Sequence, residues 1–396
     1  MSSRSTLGSL LNIRVGEGLP ILLLTLFSFL IGAGGAFFFT AATTLFLESY
    51  STTMLPVAYI GSGVAGWLLW FVSSHFGKQS SQSKQMLGSL IFLIGSVLFC
   101  AIAAYFFDMR IVSFVLFIWI RIVTYISVVV FWNLASTMFD VRQGKRLFGL
   151  IGAGEVISDM IGFFSIPLLI NYIRTQDLLI IAAVALVLCL VLYTVIRKRY
   201  AVVHSDISQQ ADAISDQSSV TIARFFSNRY STLLFLLAFL PMIGIYFMDY
   251  MFMDQAKLLY TEPRVLASFL GIFYGFVAVA EFIVKTLLSG RLLDRYGLRI
   301  GLMLLPAIVA LAVGSAALTG LVFGIGSMFF AFVAFGKLME RVLRSSLNDP
   351  AFQILYQPLP AHERLGFQSM VEGVPKAAVN LVGGGILLIF TLANFH

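Results

Sequence analysis

The chain has 396 residues, of which 59% are hydrophobic and only 11% charged, and its mean hydropathy is +0.94. A typical globular domain is about 25% charged, so this composition excludes soluble nucleic-acid-binding proteins, disordered regulators and secreted disulfide scaffolds. The net charge of +7, from 26 Lys and Arg against 19 Asp and Glu, fits basic cytoplasmic loops of a membrane protein.

A bilayer core is crossed by about 20 mostly apolar helical residues. Eleven such runs follow one another: 19–47, 53–76, 87–107, 111–138, 149–172, 178–196, 231–259, 265–289, 299–318, 321–345 and 367–394. They are continuous rather than alternating, which points to helices and not to barrel strands. The expected class is an all-α polytopic membrane protein. No removable signal peptide precedes the first run, which serves as its own insertion signal. Cys100 and Cys189 both lie inside apolar runs and read as small buried residues. The four His show no metal-ligand spacing, so neither metal nor cofactor is expected.

Orientation follows from the basic residues. With the N-terminus in the cytoplasm, 18 of the 26 fall on the cytoplasmic side, three (Arg110, Arg174, Arg264) on the other, and five lie within spans. The 18 include Arg341 and Arg344, placed at the end of the tenth span. This bias predicts a multi-pass protein of the cell membrane with a cytoplasmic N-terminus.

One long hydrophilic stretch, 198–230, is rich in Ser, Gln and Asp and divides the chain. It predicts an N-terminal six-helix half at 1–197, a cytoplasmic central loop at 198–230 and a C-terminal half at 231–396. The segment 131–162 parallels 352–384: each has an aromatic start, a polar turn, an Arg-Leu pair and then a Glu. A parallel 6+6 repeat of this kind underlies transporters with midplane sites. Five spans in the second half leave the bundle one helix short, so a twelfth span and a further cytoplasmic domain are expected beyond residue 396.

Charges inside spans are costly, about 2.5–3.5 kcal/mol each at a helix centre, and usually face a cavity or a partner. Span four holds Arg121, with Asn133 further along; span five holds Glu155 and Asp159 on one face. Span seven holds Asp249, Asp254 and Lys257, and span ten Lys337 and Glu340. Glu281 with Lys285, and Glu372 with Lys376, are acid-then-base pairs at i, i+4. These can neutralise each other on their own helices or line a site. Arg121 has no carboxylate at i±3 or i±4, so its partner is another helix or the substrate, with Glu155 or Asp159 the expected internal choices. Its planar fork suits a phosphate or carboxylate. Asp249 and Lys257 are expected to line the same site. The glycines Gly32, Gly34 and Gly35 read as close-packing positions.

Between spans eight and nine stands GRLLDRYGLR, Gly290 to Arg299. It resembles the G-x-L-x-D-R-x-G-x-R motif of the major facilitator superfamily, as do the span count and half repeat. The resemblance implies a conformational latch of Gly290, Asp294, Arg295 and Arg299 at a tight cytoplasmic turn. FWNLASTMFDVRQGKRLFGLIGAG and NDPAFQILYQPL (Asn348 to Leu359) are similar to segments of the ATP/ADP translocases of plastids and obligate intracellular bacteria. That resemblance implies nucleotide exchange, with Asp249 matching the family's acidic residue in the seventh span. The family's first-span lysine has no counterpart; its fourth-span acidic residue falls near Ile120 and Arg121; Lys376 lies a few residues before its late lysine.

Two functions are compatible with these features. The first is a secondary transporter moving an anionic solute, a nucleotide or another phosphorylated metabolite, by alternating access. Its partners are that solute and membrane lipid, with no nucleic acid. The second is a transport-inactive membrane anchor or sensor coupled to a missing cytoplasmic domain. No nucleophile–base pair suggests an enzyme.

Overall fold

A computed structural model of the chain describes residues 17–76, 82–139, 141–200, 229–324, 326–355 and 379–392. The described residues are helical throughout, joined by short turns. The helices are α1 (Gly18–Ser49), α2 (Leu55–Phe76), α3 (Gln82–Phe106), α4 (Met109–Met138), α5 (Val141–Leu169), α6 (Leu178–Arg199) and α7 (Arg229–Leu259). Then come α8 (Pro263–Ile283), α9 (Ser289–Phe323), α10 (Ser327–Leu343), α11 (Asp349–Leu355) and α12 (Val379–Leu392). Among the described residues, nine helices are long and apolar enough to cross a membrane, matching the first nine expected runs. Large apolar side chains on their outer faces, such as Phe106 and Leu321 at 80% and 84% exposure, would be untenable in water and suit hydrocarbon.

The turns are set by local chemistry. The Asp108 carboxylate accepts a hydrogen bond from the Arg110 backbone N–H at 2.9 Å and caps α4. Pro263 starts α8, where its missing N–H is not needed. Gly297 (φ 75°, ψ 172°) breaks α9 into two helices, and Gly324 (φ 75°) ends it.

The tenth expected span is displaced. Residues 321–323 finish α9, and α10 starts only at Ser327. It does not stop at 345: a π-helical turn, Arg344–Asn348, carries the helix on into α11. Arg341 and Arg344 therefore lie mid-helix rather than in a cytoplasmic end, which leaves 16 basic residues against three in the orientation tally. A second π turn, Val284–Leu288, continues α8. The two π turns touch each other.

α1 is the centre of the first half, packed by α4, α5 and α6. Small residues permit the close approach. A Cβ on Gly32 would stand 3.1 Å from the Glu155 backbone of α5, and one on Gly34 3.0 Å from Leu186 of α6. Gly154 is tighter still, since its Cβ would lie 2.2 Å from the Thr25 carbonyl oxygen. Gly35 faces open space.

The two halves meet along α5 and α8. Gly271 lets α8 approach the Phe163 carbonyl, where a Cβ would sit at 2.8 Å, and Gly275 does the same beside Phe164. Tyr274 of α8 packs edge-on against Phe39 of α1, with ring centroids 5.0 Å apart. A second seam joins α2 to α12, where a Cβ on Gly384 would meet the Pro56 carbonyl at 2.9 Å.

Candidate functional site

Four charges alternate through the second half. Lys337 of α10 is only 3% exposed; its ammonium pairs with Asp249 of α7 and, at 2.7 Å, with Glu340 one turn along α10. The second oxygen of fully buried Glu340 lies 3.3 Å from the Arg344 guanidinium. Spacings of i, i+3 and i, i+4 put these groups in reach of one another on one helix. The chain Asp249, Lys337, Glu340, Arg344 is neutral as a whole, which is how four ionised groups can be held in a membrane interior.

Arg121 of α4 is different. Its guanidinium donates to the Tyr246 hydroxyl of α7 at 3.4 Å and lies 5.8 Å from that ring's centroid. Tyr246 is itself fixed edge-on by Tyr59 of α2, at 5.2 Å between centroids. Among the described residues no carboxylate lies within ion-pair distance of Arg121. Its side chain is nevertheless exposed. An exposed guanidinium facing lipid would be heavily penalised. Its neighbours Tyr246, Asp249 and Arg344 belong to the other half, so the surface it exposes faces the space between the halves. The expected partners, Glu155 and Asp159, do not pair with it; the phenol of Tyr246 does, because α7 rather than α5 presents a polar atom at that point.

Glu155 and Asp159 face the same inter-half space from α5. Glu155 is exposed and Asp159 half-buried, and both lie in electrostatic range of Glu281, Lys285 and Arg341 from the second half. The Glu155 backbone N–H donates to the Ser28 hydroxyl of α1 at 3.0 Å, which fixes its place on the α1–α5 seam. Glu281 and Lys285 form the in-helix pair at 3.8 Å. Cationic Arg121 with its neutral chain thus adjoins a mixed region in which three carboxylates meet two cations.

Lys257 lies elsewhere. It is eight residues beyond Asp249 on α7, about 12 Å along the axis, and donates to the Tyr50 carbonyl oxygen between α1 and α2. Asp254 of the same turn accepts from the Thr52 hydroxyl. Asp249 and Lys257, expected to line one site, make separate contacts: Asp249 turns inward to Lys337, while Lys257 ties the halves together at the α1–α2 end.

Asn133 is half-buried in α4, three turns from Arg121. Glu372 and Lys376 lie outside the described residues. In the Gly290 to Arg299 motif, the side chain of Asp294 also lies outside them. Arg295 sits 5.7 Å from the Tyr296 ring centroid, Arg299 is exposed, and the sharp turn falls at Gly297. Reading the sequence missed Tyr246, Arg341 and Arg344 as site residues. For the two arginines the signal was present: Lys337, Arg341 and Arg344 stand at i, i+4 and i+7, one face of one helix. Among the described residues, no cluster of three His, Cys, Asp or Glu could hold a metal ion.

Two packed halves of membrane-spanning helices, with charged side chains facing the space between them, define a membrane transporter of the major-facilitator fold. Solved structures agree on the fold. The nucleoside transporter NupG matches with a TM-score of 0.64 at 14% identity, over 92% of this chain and 90% of its own. A bacterial homologue of the iron transporter ferroportin, inward-facing, matches with a TM-score of 0.64 at 14% identity, over 94% and 92%. The xylose transporter XylE from E. coli, inward open, gives 0.57 at 14% identity over 94% and 90%. No curated protein matches the chain. The family model for the TLC ATP/ADP transporter matches residues 103–393, and the chain belongs to that family. These likenesses favour a transporter over the transport-inactive anchor or sensor.

Proposed function

We propose that the protein moves a nucleotide or another phosphorylated metabolite across the cell membrane by alternating access, as an exchanger. The observation that carries this reading is Arg121: an exposed arginine between the halves whose guanidinium, among the described residues, is held only by a phenol of the opposite half. A charged phosphate offers that fork a stronger, bidentate partner than a neutral hydroxyl does. Membership of the TLC ATP/ADP transporter family supports a nucleotide as the solute.

In this reading the halves are 1–197 and 231–396, with 198–230 and the N-terminus in the cytoplasm. Basic residues support that orientation. Asp294, Arg295 and Arg299 act as the latch that re-forms as the halves rock, and membrane lipid surrounds the apolar outer face. Arg121 is the substrate anchor, with Asp249 and Lys337 on its side of the second half and Asn133 three turns further along α4; Glu155, Asp159, Glu281 and Lys285 line the adjoining part of the path.

The test is equilibrium binding to the purified protein in detergent. ATP and ADP bind saturably, the neutral nucleoside adenosine at least tenfold more weakly, and Arg121→Ala removes the difference. Adenosine binding as tightly as ADP would contradict an anion-reading site.

A further inference from the structure

Among the described residues, the basic face of α10 has one member outside any ion pair. Lys337, Arg341 and Arg344 follow one another at i, i+4 and i+7 and so rise along one side of the helix, about 6 Å and then 4.5 Å apart along the axis. Lys337 is committed to Asp249 and Glu340, and Arg344 to Glu340. Arg341, between them, has no carboxylate within ion-pair distance among the described residues. It is exposed although the residues that follow it, Val342 and Leu343, are buried at 1% and 8% exposure. Glu155 and Asp159 of α5, in the opposite half, and Tyr274 of α8 all lie within its electrostatic range.

The helix is also irregular here. The π turn begins at Arg344, directly after this stretch, and touches the π turn that carries Lys285. Such turns are rare and are frequent at functional sites.

Two exposed arginines from opposite halves, Arg121 of α4 and Arg341 of α10, thus each lie beside charged groups of the other half. A lone phosphate is satisfied by one fork. An anion with two or three linked phosphates presents separated charges and can occupy both. We propose that Arg341 is a specificity-determining residue that reads the length of the substrate's phosphate chain. Arg121 holds one end of the chain and Arg341 the other. The inference rests on the anionic-substrate reading above and adds to it a residue and a discrimination that the reading does not need.

Physical competition sharpens the assignment. The carboxylates of Glu155 and Asp159 attract Arg341 without closing an ion pair. A phosphate chain carries more charge and more acceptor oxygens than either carboxylate and displaces that attraction. An ammonium at position 341 keeps the charge and loses the fork.

The test is equilibrium binding of ATP, ADP, AMP and inorganic tripolyphosphate to the purified full chain and to Arg341→Gln and Arg341→Lys. The wild type is expected to bind ATP and ADP more tightly than AMP. Arg341→Gln should lose at least tenfold for ATP, ADP and tripolyphosphate and stay within about twofold for AMP. Arg341→Lys should fall between. Equal losses for all ligands, or none, overturn the proposal while leaving the nucleotide reading intact. Arg341-dependent binding of tripolyphosphate without any nucleotide binding upholds the proposal and overturns the nucleotide reading. Absence of binding by all four ligands overturns both. If Arg341→Gln does not fold, Arg341→Lys decides alone: a loss for ATP but not AMP upholds the proposal, and unchanged ATP binding overturns it.

Discussion

Asp249 of α7 and Lys337 of α10 form an ion pair in which the lysine is 3% exposed and the aspartate 19%. The pair fixes α7 to α10 and leaves Glu340 to balance Arg344. Removing one member of a buried pair typically costs about 3–5 kcal/mol, because the other is stranded. Glu340 stays beside Lys337, so Asp249→Asn should fall at the lower end, measured as thermal unfolding in detergent. Asp249→Asn with Lys337→Met should recover most of the loss. A double variant no more stable than the single would mean that the pair is not what Asp249 contributes.

Arg121→Lys keeps the charge but not the bidentate geometry, so ATP affinity should fall several-fold. Arg121→Ala should lose more and still insert, since its only described polar partner is the Tyr246 hydroxyl. Normal ATP binding by the lysine variant, together with unfolding of the alanine variant, would make Arg121 a structural residue.

The bundle's span pattern was open to reading because each apolar run is continuous and carries its own length. The Glu281–Lys285 pair was equally legible, being set by i, i+4 spacing on one helix. Partners on different helices were not. Nothing in sequence spacing joins Asp249 to Lys337 or Arg121 to Tyr246, since those contacts come from how α4, α7 and α10 pack. Arg341 and Arg344 were misplaced for another reason. A cluster of charges looks like the end of a span, whereas here alternating charges cancel and the helix runs on through a π turn.

Glycine positions give a test of the α1–α5 seam. Gly154→Ala puts a methyl group 2.2 Å from the Thr25 carbonyl oxygen, and backbone cannot move aside cheaply. It should cost about 1–3 kcal/mol or more and lower the yield of folded protein. Gly35→Ala, which meets open space, should melt like the wild type. Equal melting of the two variants would show that the seam is looser than described.

At the α1–α2 end, Thr52 meets Asp254 and Lys257 meets the Tyr50 carbonyl. Alternating access needs these links to break. With cysteines at 52 and 254, oxidation should stop transport and reduction restore it; the native Cys100 and Cys189 are buried and should not interfere. Full flux with the cross-link formed would show that this end does not open during transport.

The central claim is anion transport through an Arg121-anchored site, and counterflow tests it most directly. Proteoliposomes loaded with unlabelled ADP are diluted into a trace of labelled ATP, and internal label is followed over time. Transient accumulation above equilibrium is expected for the wild type, and its collapse for Arg121→Ala. No accumulation by the folded wild type, or undiminished accumulation by Arg121→Ala, would contradict it.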